Sequence, residues 1–200
     1  MSFPFRGKLL RKIVSFRSFL FLPPFVVMGL TYYNEMENDL IIWPLGILII
    51  FVGFLIRLRS TKYIGRRTPS MKKKGKELVN MGPYAMVRNP LYIGNIIIAT
   101  GLSVLSKLLW FTPFVLLYFF ALYHVVVLYE EKKLSERWED GYLMYFNEVP
   151  RWMPRLRNFN RVKGDGFKWI QALRSELPSL IYILFSILIF VLKEIVSGVK

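Results

Sequence analysis

Apolar residues in this chain fall in blocks rather than at the one-face spacing of a soluble helix or strand. Residues 19–33, 40–56, 91–105 and 108–129 are four such blocks. Runs of this length and composition predict helices that cross a bilayer. A fifth block, residues 177–192, is about 16 residues long. That is short for a full span, so it is expected as a fifth crossing, with a helix lying in the interface as the alternative. Pro23 and Pro24 predict a kink or break in the first block. Only Ser106 and Lys107 separate the third block from the fourth, which predicts a tight helical hairpin. The fold class is therefore all-α: a polytopic membrane protein with about five transmembrane helices, followed after residue 129 by a cytoplasmic cap helix.

The polar intervals orient these blocks. The first 17 residues carry Arg6, Lys8, Arg11, Lys12 and Arg17, residues 57–88 carry ten basic residues, and residues 132–174 are also rich in Lys and Arg. Residues 34–39 have none, and the 106–107 turn has one. An even number of crossings separates the basic intervals, so all three are expected on the cytoplasmic side. The basic, apolar N-terminus resembles a signal peptide in outline, but no small-residue cleavage site follows, and it reads as an uncleaved first membrane segment.

Composition narrows the chemistry. The net charge of +15 invites nucleic acid as a partner, yet the 28 basic residues gather beside apolar blocks. The run Met71-Lys72-Lys73-Lys74-Gly75-Lys76 suits anionic lipid headgroups better. No nucleic-acid partner is expected. The absence of cysteine excludes disulfides and thiolate nucleophiles, and a single histidine argues against a metal site. No Gly-x-Gly-x-x-Gly follows a strand, so a soluble nucleotide-binding domain is not supported. The chain reads as one integral-membrane domain over residues 1–200.

Candidate chemistry clusters at the two feet of the predicted hairpin. At one foot stands Gly82-Pro83-Tyr84-Ala85-Met86-Val87-Arg88-Asn89-Pro90-Leu91-Tyr92. Asn is a favoured N-cap and Pro suits the first helical position, so Asn89-Pro90 predicts the start of the third membrane helix. At the other foot, Glu130 and Glu131 end the fourth block. Charges beside hydrocarbon are costly and mark functional sites by default. At 100° per residue, Glu131, Trp138, Tyr142 and Tyr145 share one stripe, which His124 and Val127 join if the helix continues from the membrane. Glu130 projects about a quarter turn away. A lone histidine such as His124 is ordinarily a hydrogen-bonded core residue. The stripe reads either as core packing or as a wall for a cation, since aromatic faces and carboxylates both attract positive charge.

These residues resemble the signature of the integral-membrane methyltransferases related to isoprenylcysteine carboxyl methyltransferase and phospholipid N-methyltransferase. That signature is Arg-His-Pro-x-Tyr, a hydrophobic span, Glu-Glu, then Leu, Phe-Gly, two tyrosines and Arg-x-x-Pro. Arg88, Pro90, Tyr92, Glu130, Glu131, Leu134, Tyr142, Tyr145, Arg151 and Pro154 match it. Asn89, Trp138 and Glu139 stand where the family has histidine, phenylalanine and glycine. The resemblance covers residues 82–154, the expected catalytic core, and leaves 155–200 as a basic segment plus a C-terminal hydrophobic helix.

The resemblance implies methyl transfer from S-adenosylmethionine to a membrane-borne or lipophilic acceptor: a carboxylate, amine or thiol. It implies a cofactor site at Tyr84, Arg88, Asn89, Pro90, Tyr92, Glu130 and Glu131. It places Tyr142, Tyr145, Arg151 and Trp152 on the substrate side, with Glu131 and Arg151 as the catalytic pair. Two rivals remain at this stage: an NADPH-dependent membrane reductase of the sterol type, where Asn95 stands at a position usually acidic, and a membrane relative without catalysis. The oligomeric state is left open.

Overall fold

The computed structural model describes residues 14–16, 19–33, 38–64, 78–155, 157–158 and 168–198. The Lys72–Lys76 run, most of the 34–39 loop and nearly all of the basic N-terminus lie outside these residues. Six α-helices are delimited among the described residues: α1 Leu22–Leu30, α2 Asp39–Ile64, α3 Pro83–Met86, α4 Pro90–Leu105, α5 Thr112–Glu148 and α6 Trp169–Gly198. Short 3-10 turns at Phe19–Phe21 and Leu109–Phe111 lead into α1 and α5. No strand occurs among the described residues. Helices α2, α5 and α6 are long and apolar enough to cross a membrane, whereas α1 and α4 are shorter apolar helices.

Large apolar side chains point outward along these helices. Leu40, Ile41, Leu48 and Phe51 on α2, Phe114 and Leu117 on α5, and Ile181, Leu184 and Leu188 on α6 are all exposed. Such a surface suits hydrocarbon, as expected for an integral membrane protein.

Three sequence expectations are corrected. Pro23 and Pro24 do not break the first segment. They occupy the first turn of α1, where a missing N–H leaves no bond unmade. The second segment does not stop at residue 56: α2 continues to Ile64, so Arg57, Arg59 and Lys62 ride on a helix rather than in a loop. The last apolar block grows at both ends into the 30 residues of α6, with Pro178 inside it. At 1.5 Å per residue that length suffices for a crossing.

Glycines set the tightest seam. Helices α2 and α4 run antiparallel, with Gly53 against Gly94 and Gly46 against Gly101. A Cβ on Gly53 would lie 2.9 Å from the Gly94 carbonyl oxygen, and one on Gly101 would lie 3.0 Å from that of Gly46. Small residues at this spacing let membrane helices approach backbone to backbone. Helix α5 returns along α4 through the Ser106–Lys107 turn, where Lys107 adopts φ 66°. Helix α6 runs in the same direction as α4: Glu176 and Ser179 meet the level of Asn95 through Arg57, and Lys193 and Glu194 meet the Ser106–Lys107 turn. The core joins these helices around Tyr92, Leu102, Leu105, Val115, Phe119, Tyr123 and Phe190. Phe21 packs on Phe119, Tyr123 and Tyr182 in the middle of the bundle.

Helix α5 is 37 residues long but is two helical segments joined across a kink at Glu139, the first leaving the core and the second completing the cap. Its only non-helical residue is Glu139, at φ 40° and ψ −114°. This is the position at which the motif carries glycine, the residue that adopts positive φ without steric cost.

Candidate functional site

The site is built where α4 begins and α5 enters the cap, called here the motif end of the bundle. Gly82 turns the chain into it at φ 60°, and a Cβ there would sit 2.4 Å from the Tyr63 ring. The turn releases the short helix α3, which buries Tyr84 and Ala85. Beyond the cap, residues 150–155 and 157–158 strap back across this segment. Arg88 N donates to Pro150 O at 2.9 Å, Arg155 N to Met86 O at 2.9 Å, and Asn158 Nδ2 to Ala85 O at 2.9 Å. Both feet of the hairpin are thereby tied together.

Glu131 is the centre of the cluster. Arg151 grips it through Nε at 3.1 Å to both carboxylate oxygens and through Nη2 at 2.7 Å to Oε2. Arg88 Nε approaches Glu131 Oε1 at 3.3 Å from the other foot. The Arg88 guanidinium also lies 4.0 Å from the centre of the Phe146 ring, and its Nη1 donates to Phe146 O at 3.2 Å. Bidentate pairing of this kind fixes orientation as well as charge.

Asn89 does not cap α4 with its side chain, contrary to expectation. Its Nδ2 donates to Arg151 O at 3.3 Å. The amide is spent on holding the strap, while the helix starts from the Asn89 backbone, whose O accepts from Ile93 N at 3.2 Å, and from Pro90 in the first turn.

The helical stripe is present as a buried face. Glu131, Tyr142 and Tyr145 are buried and Trp138 is half-buried. The two tyrosine rings stand 6.1 Å apart and pack with Val149, Leu78, Leu134, Trp138 and Phe146. Tyr145 Oη donates to Tyr84 O at 2.8 Å. The hydroxyls of Tyr84 and Tyr142 are buried without a hydrogen-bond partner. Burial raises the pKa of all three phenols. The Glu131 charge adds to the rise at Tyr142 while Arg88 and Arg151 oppose it, and Glu130 adds to the rise at Tyr84.

The adjacent carboxylates part company. Glu131 serves the two arginines, whereas the buried Glu130 acts on Tyr84. Tyr92 lies deeper, stacked on Tyr123 with centroids 4.9 Å apart. Trp152 leans on α5, its ring 5.2 Å from Phe120 and its Nε1 3.4 Å from His124 Nδ1. His124 is thus a half-buried partner of the strap. A cavity of about 580 Å³ opens between Met81 and Ala85 and the last turns of α5, but its walls are mainly apolar and none of the ion-paired residues lines it.

A second polar layer lies deeper in the bundle, and sequence reasoning missed it. Arg57 on α2 donates through Nε to Glu176 Oε2 at 2.9 Å, through Nη2 to Ser179 Oγ at 2.9 Å, and through Nη1 to Asn95 Oδ1. Thr61 Oγ1 donates to Glu176 Oε1 at 2.5 Å, and Asn95 Nδ2 to Tyr123 Oη at 2.8 Å. The available signal was that Arg57 and Glu176 each directly adjoin an apolar run.

Fold and site together define a helical integral membrane protein with an ion-paired motif at one end of its bundle. The model of the phospholipid methyltransferase family matches residues 41–140, half of the chain. The chain belongs to that family of membrane methyltransferases. It is also similar to two curated proteins. One is the nickel-cobalt-cadmium resistance protein NccN of Alcaligenes xylosoxydans xylosoxydans, 32% identical over 67% of this chain and 60% of the relative. The other is the cobalt-zinc-cadmium resistance protein CzcN of Cupriavidus metallidurans, 30% identical over 56% of this chain and 49% of the relative. The chain thus spans about half to three fifths of the length of these relatives. No solved structure matches it.

Proposed function

We propose that the protein transfers a methyl group from S-adenosylmethionine to a heteroatom of a membrane-borne or lipophilic acceptor. The observation that carries this reading is the convergence of Arg88, Asn89, Glu131 and Arg151 beneath Tyr142, at the junction of membrane helix and cap. The donor set fits the cofactor. Two guanidiniums opposite one carboxylate suit its carboxylate group. Glu131 and the Tyr142 face suit its ammonium and sulfonium charges. The buried Tyr84 and Tyr142 hydroxyls bring hydrogen-bonding capacity that no protein group uses.

When bound, S-adenosylmethionine supplies an activated methyl group, so the protein's task is alignment and exclusion of water. In this reading Arg88, Asn89, Pro90, Tyr92 and Tyr84 with Glu130 and Glu131 hold the cofactor. Arg151, Trp152, Tyr142 and Tyr145 face the acceptor. Arg151 and Glu131 orient each other, so charge at the reacting end is fixed before the acceptor arrives. The phenols stay protonated at neutral pH and serve as donors, not bases. Asn89 in place of histidine keeps a hydrogen-bonding group but carries no proton. Such a site suits carboxylates and thiolates, which need no base, better than ammonium groups.

The basic intervals support a site facing the cytoplasm, with the soluble cofactor entering there and the acceptor arriving laterally from the bilayer. The names of NccN and CzcN tie those proteins to metal resistance. With no cysteine and one histidine in this chain, a related role here would act through a methylated product rather than through ion capture.

The test is calorimetric titration with S-adenosylmethionine, and separately with NADPH. A transfer assay follows, using labelled S-adenosylmethionine with membrane lipid extracts and small thiols. Failure to bind the cofactor and to label any acceptor would sink the reading. Cysteines introduced at Arg155 and Asn38 should label from opposite sides of the membrane, and labelling of Arg155→Cys from outside would reverse the orientation.

A further inference from the structure

The polar layer below the signature residues has no role in the mechanism above, and its cost asks for one. Arg57 and Glu176 pair at 2.8 Å with side chains only 15% and 3% exposed, between helices otherwise packed with apolar residues. A buried ion pair is not the economical way to join two apolar helices, since well-packed hydrophobic residues do as well or better. Every group of this layer is aimed at another. Glu176 takes Arg57 on one oxygen and Thr61 on the other. Arg57 then reaches Asn95, Asn95 reaches Tyr123, and the Tyr123 ring lies flat against Tyr92. Four helices are linked in this order: α6, α2, α4 and α5. The far member, Tyr92, belongs to the Arg-x-Pro-x-Tyr motif.

We propose that Glu176, Arg57 and Asn95 form a positioning clamp that sets the Tyr123 ring and, through it, the Tyr92 wall of the cofactor site. Helix α6 is then a working part of the site rather than a membrane anchor. Glu176 lies outside residues 41–140 matched by the family model and outside the 82–154 signature region. The proposal rests on the methyl-transfer reading only in naming the cofactor; the clamp itself is a statement about which side chains hold Tyr92.

The physical basis is directional. The Tyr123 hydroxyl is held by Asn95, and Asn95 is held in turn by the planar Arg57 fork, whose other edge is fixed bidentately on α6. A stacked ring at 4.9 Å moves with its partner. A loss at Glu176 therefore reaches Tyr92 through Arg57, Asn95 and Tyr123. Arg57, Asn95 and Glu176 act through Tyr123, so they are positioning residues and not catalytic ones.

The experiment uses the full chain in lipid nanodiscs. Tyr123→Phe removes one hydroxyl and leaves the ring, and Asn95→Leu cuts the link without stranding a charge. Glu176→Gln keeps the shape while releasing Arg57. Each is measured by melting midpoint, by calorimetric Kd for S-adenosylmethionine, and by amide hydrogen exchange over residues 90–95 and 120–126. The expected result is a three- to tenfold rise in Kd for Tyr123→Phe and Asn95→Leu. The Asn95→Leu/Glu176→Gln double variant should be no worse than the weaker-binding single, because both cut one chain of contacts. Exchange over residues 90–95 should rise in Glu176→Gln, on a helix that Glu176 reaches through Arg57. If Glu176→Gln fails to fold, Tyr123→Phe and Asn95→Leu still decide. Unchanged exchange over 90–95 in both, or purely additive losses in Kd, would overturn the clamp. A wild-type protein that binds no S-adenosylmethionine would sink the methyl-transfer reading, and the exchange data would then judge the clamp alone.

Discussion

Each end of the bundle carries a buried ionic cluster, and the two are built differently. At the hairpin end, Lys107 pairs with Asp39 at 2.5 Å and with Glu194, while Lys193 donates to Met28 O and Ser106 O at 3.2 Å each. Charges balance there, and the cations are spent on carboxylates or on carbonyls at helix ends. At the motif end, one carboxylate, Glu131, faces two guanidiniums, and two phenol hydroxyls lie buried beside them without partners. The hairpin-end cluster closes on itself and reads as a buckle between α2, the α4–α5 turn and α6. The motif-end cluster, with Glu130 buried beside Glu131, keeps hydrogen-bonding capacity in hand at Tyr84 and Tyr142, the arrangement expected where a ligand completes the set.

Paired substitutions should break this comparison most strongly. Glu131→Gln leaves Arg88 and Arg151 without their carboxylate and should cost about 3–5 kcal/mol of stability, read by denaturation in detergent. Lys107→Met leaves Asp39 and Glu194, 51% and 35% exposed, to solvent and should cost about 1 kcal/mol or less. Only Glu131→Gln should also weaken S-adenosylmethionine binding, by about 1.5–3 kcal/mol in calorimetry. Equal effects of the two variants on binding would erase the distinction between buckle and site.

Alkaline pH should sharpen it next. Tyr84, Tyr142 and Tyr145 have pKa values raised above the ordinary 10.0, chiefly by burial. The unfolded chain therefore releases these protons first. Stability is fully present below pH 10 and falls as pH rises from there toward the folded values. Lys107 also has a raised pKa: burial disfavours its charge, but hydrogen bonds to Asp39 and Glu194 more than offset that. Tyr142→Phe should flatten the alkaline loss measured by melting midpoint between pH 9 and 11. A profile as steep as that of the wild type would show that the cap phenols do not govern it.

Smaller effects belong to the strap and the kink. Asn89→Ala deletes the bond to Arg151 O and should cost about 0.5–1.5 kcal/mol in stability, with a matching loss of transfer rate. Asn89→His should keep the rate within about tenfold, near 1.4 kcal/mol of barrier. A gain of several orders of magnitude would instead show that histidine carries a proton in this chemistry. Glu139→Gly should relieve the positive φ and raise stability by up to about 1 kcal/mol, after the entropic cost of glycine. A fall in melting midpoint would show that the Glu139 side chain contributes more than its backbone strain removes.

Much of the fold was legible because hydrocarbon selects long apolar runs, and those runs locate α2, the α4–α5 hairpin and α6. The parting of Glu130 from Glu131 was legible too, since 100° per residue separates neighbours on any helix. Three features were hidden for physical reasons. Arg57 and Glu176 lie 119 residues apart in sequence and each looks like an ordinary polar flank. The glycines at 46, 53, 94 and 101 share a spacing of seven, but its meaning appears only when two helices are laid together. Asn89 has the composition of a cap, and tertiary contact with the strap overrides that local preference.

Helix α4 has only 16 residues, about 24 Å at 1.5 Å per residue, against roughly 30 Å of hydrocarbon in an ordinary bilayer. Its two ends are polar, Arg88-Asn89 at one and Ser106-Lys107 at the other. The mismatch of about 6 Å is met by local thinning of the membrane or by the flanking polar side chains reaching to the interface, since tilt would only shorten the span further. A thinned annulus beside α4 brings headgroups down to the level of the motif. On the methyl-transfer reading proposed above, a lipid-borne acceptor would reach the site by moving sideways in its own leaflet, without being lifted into water. Bilayer thickness thereby becomes a variable of the reaction, and lipid chain length a means of tuning it.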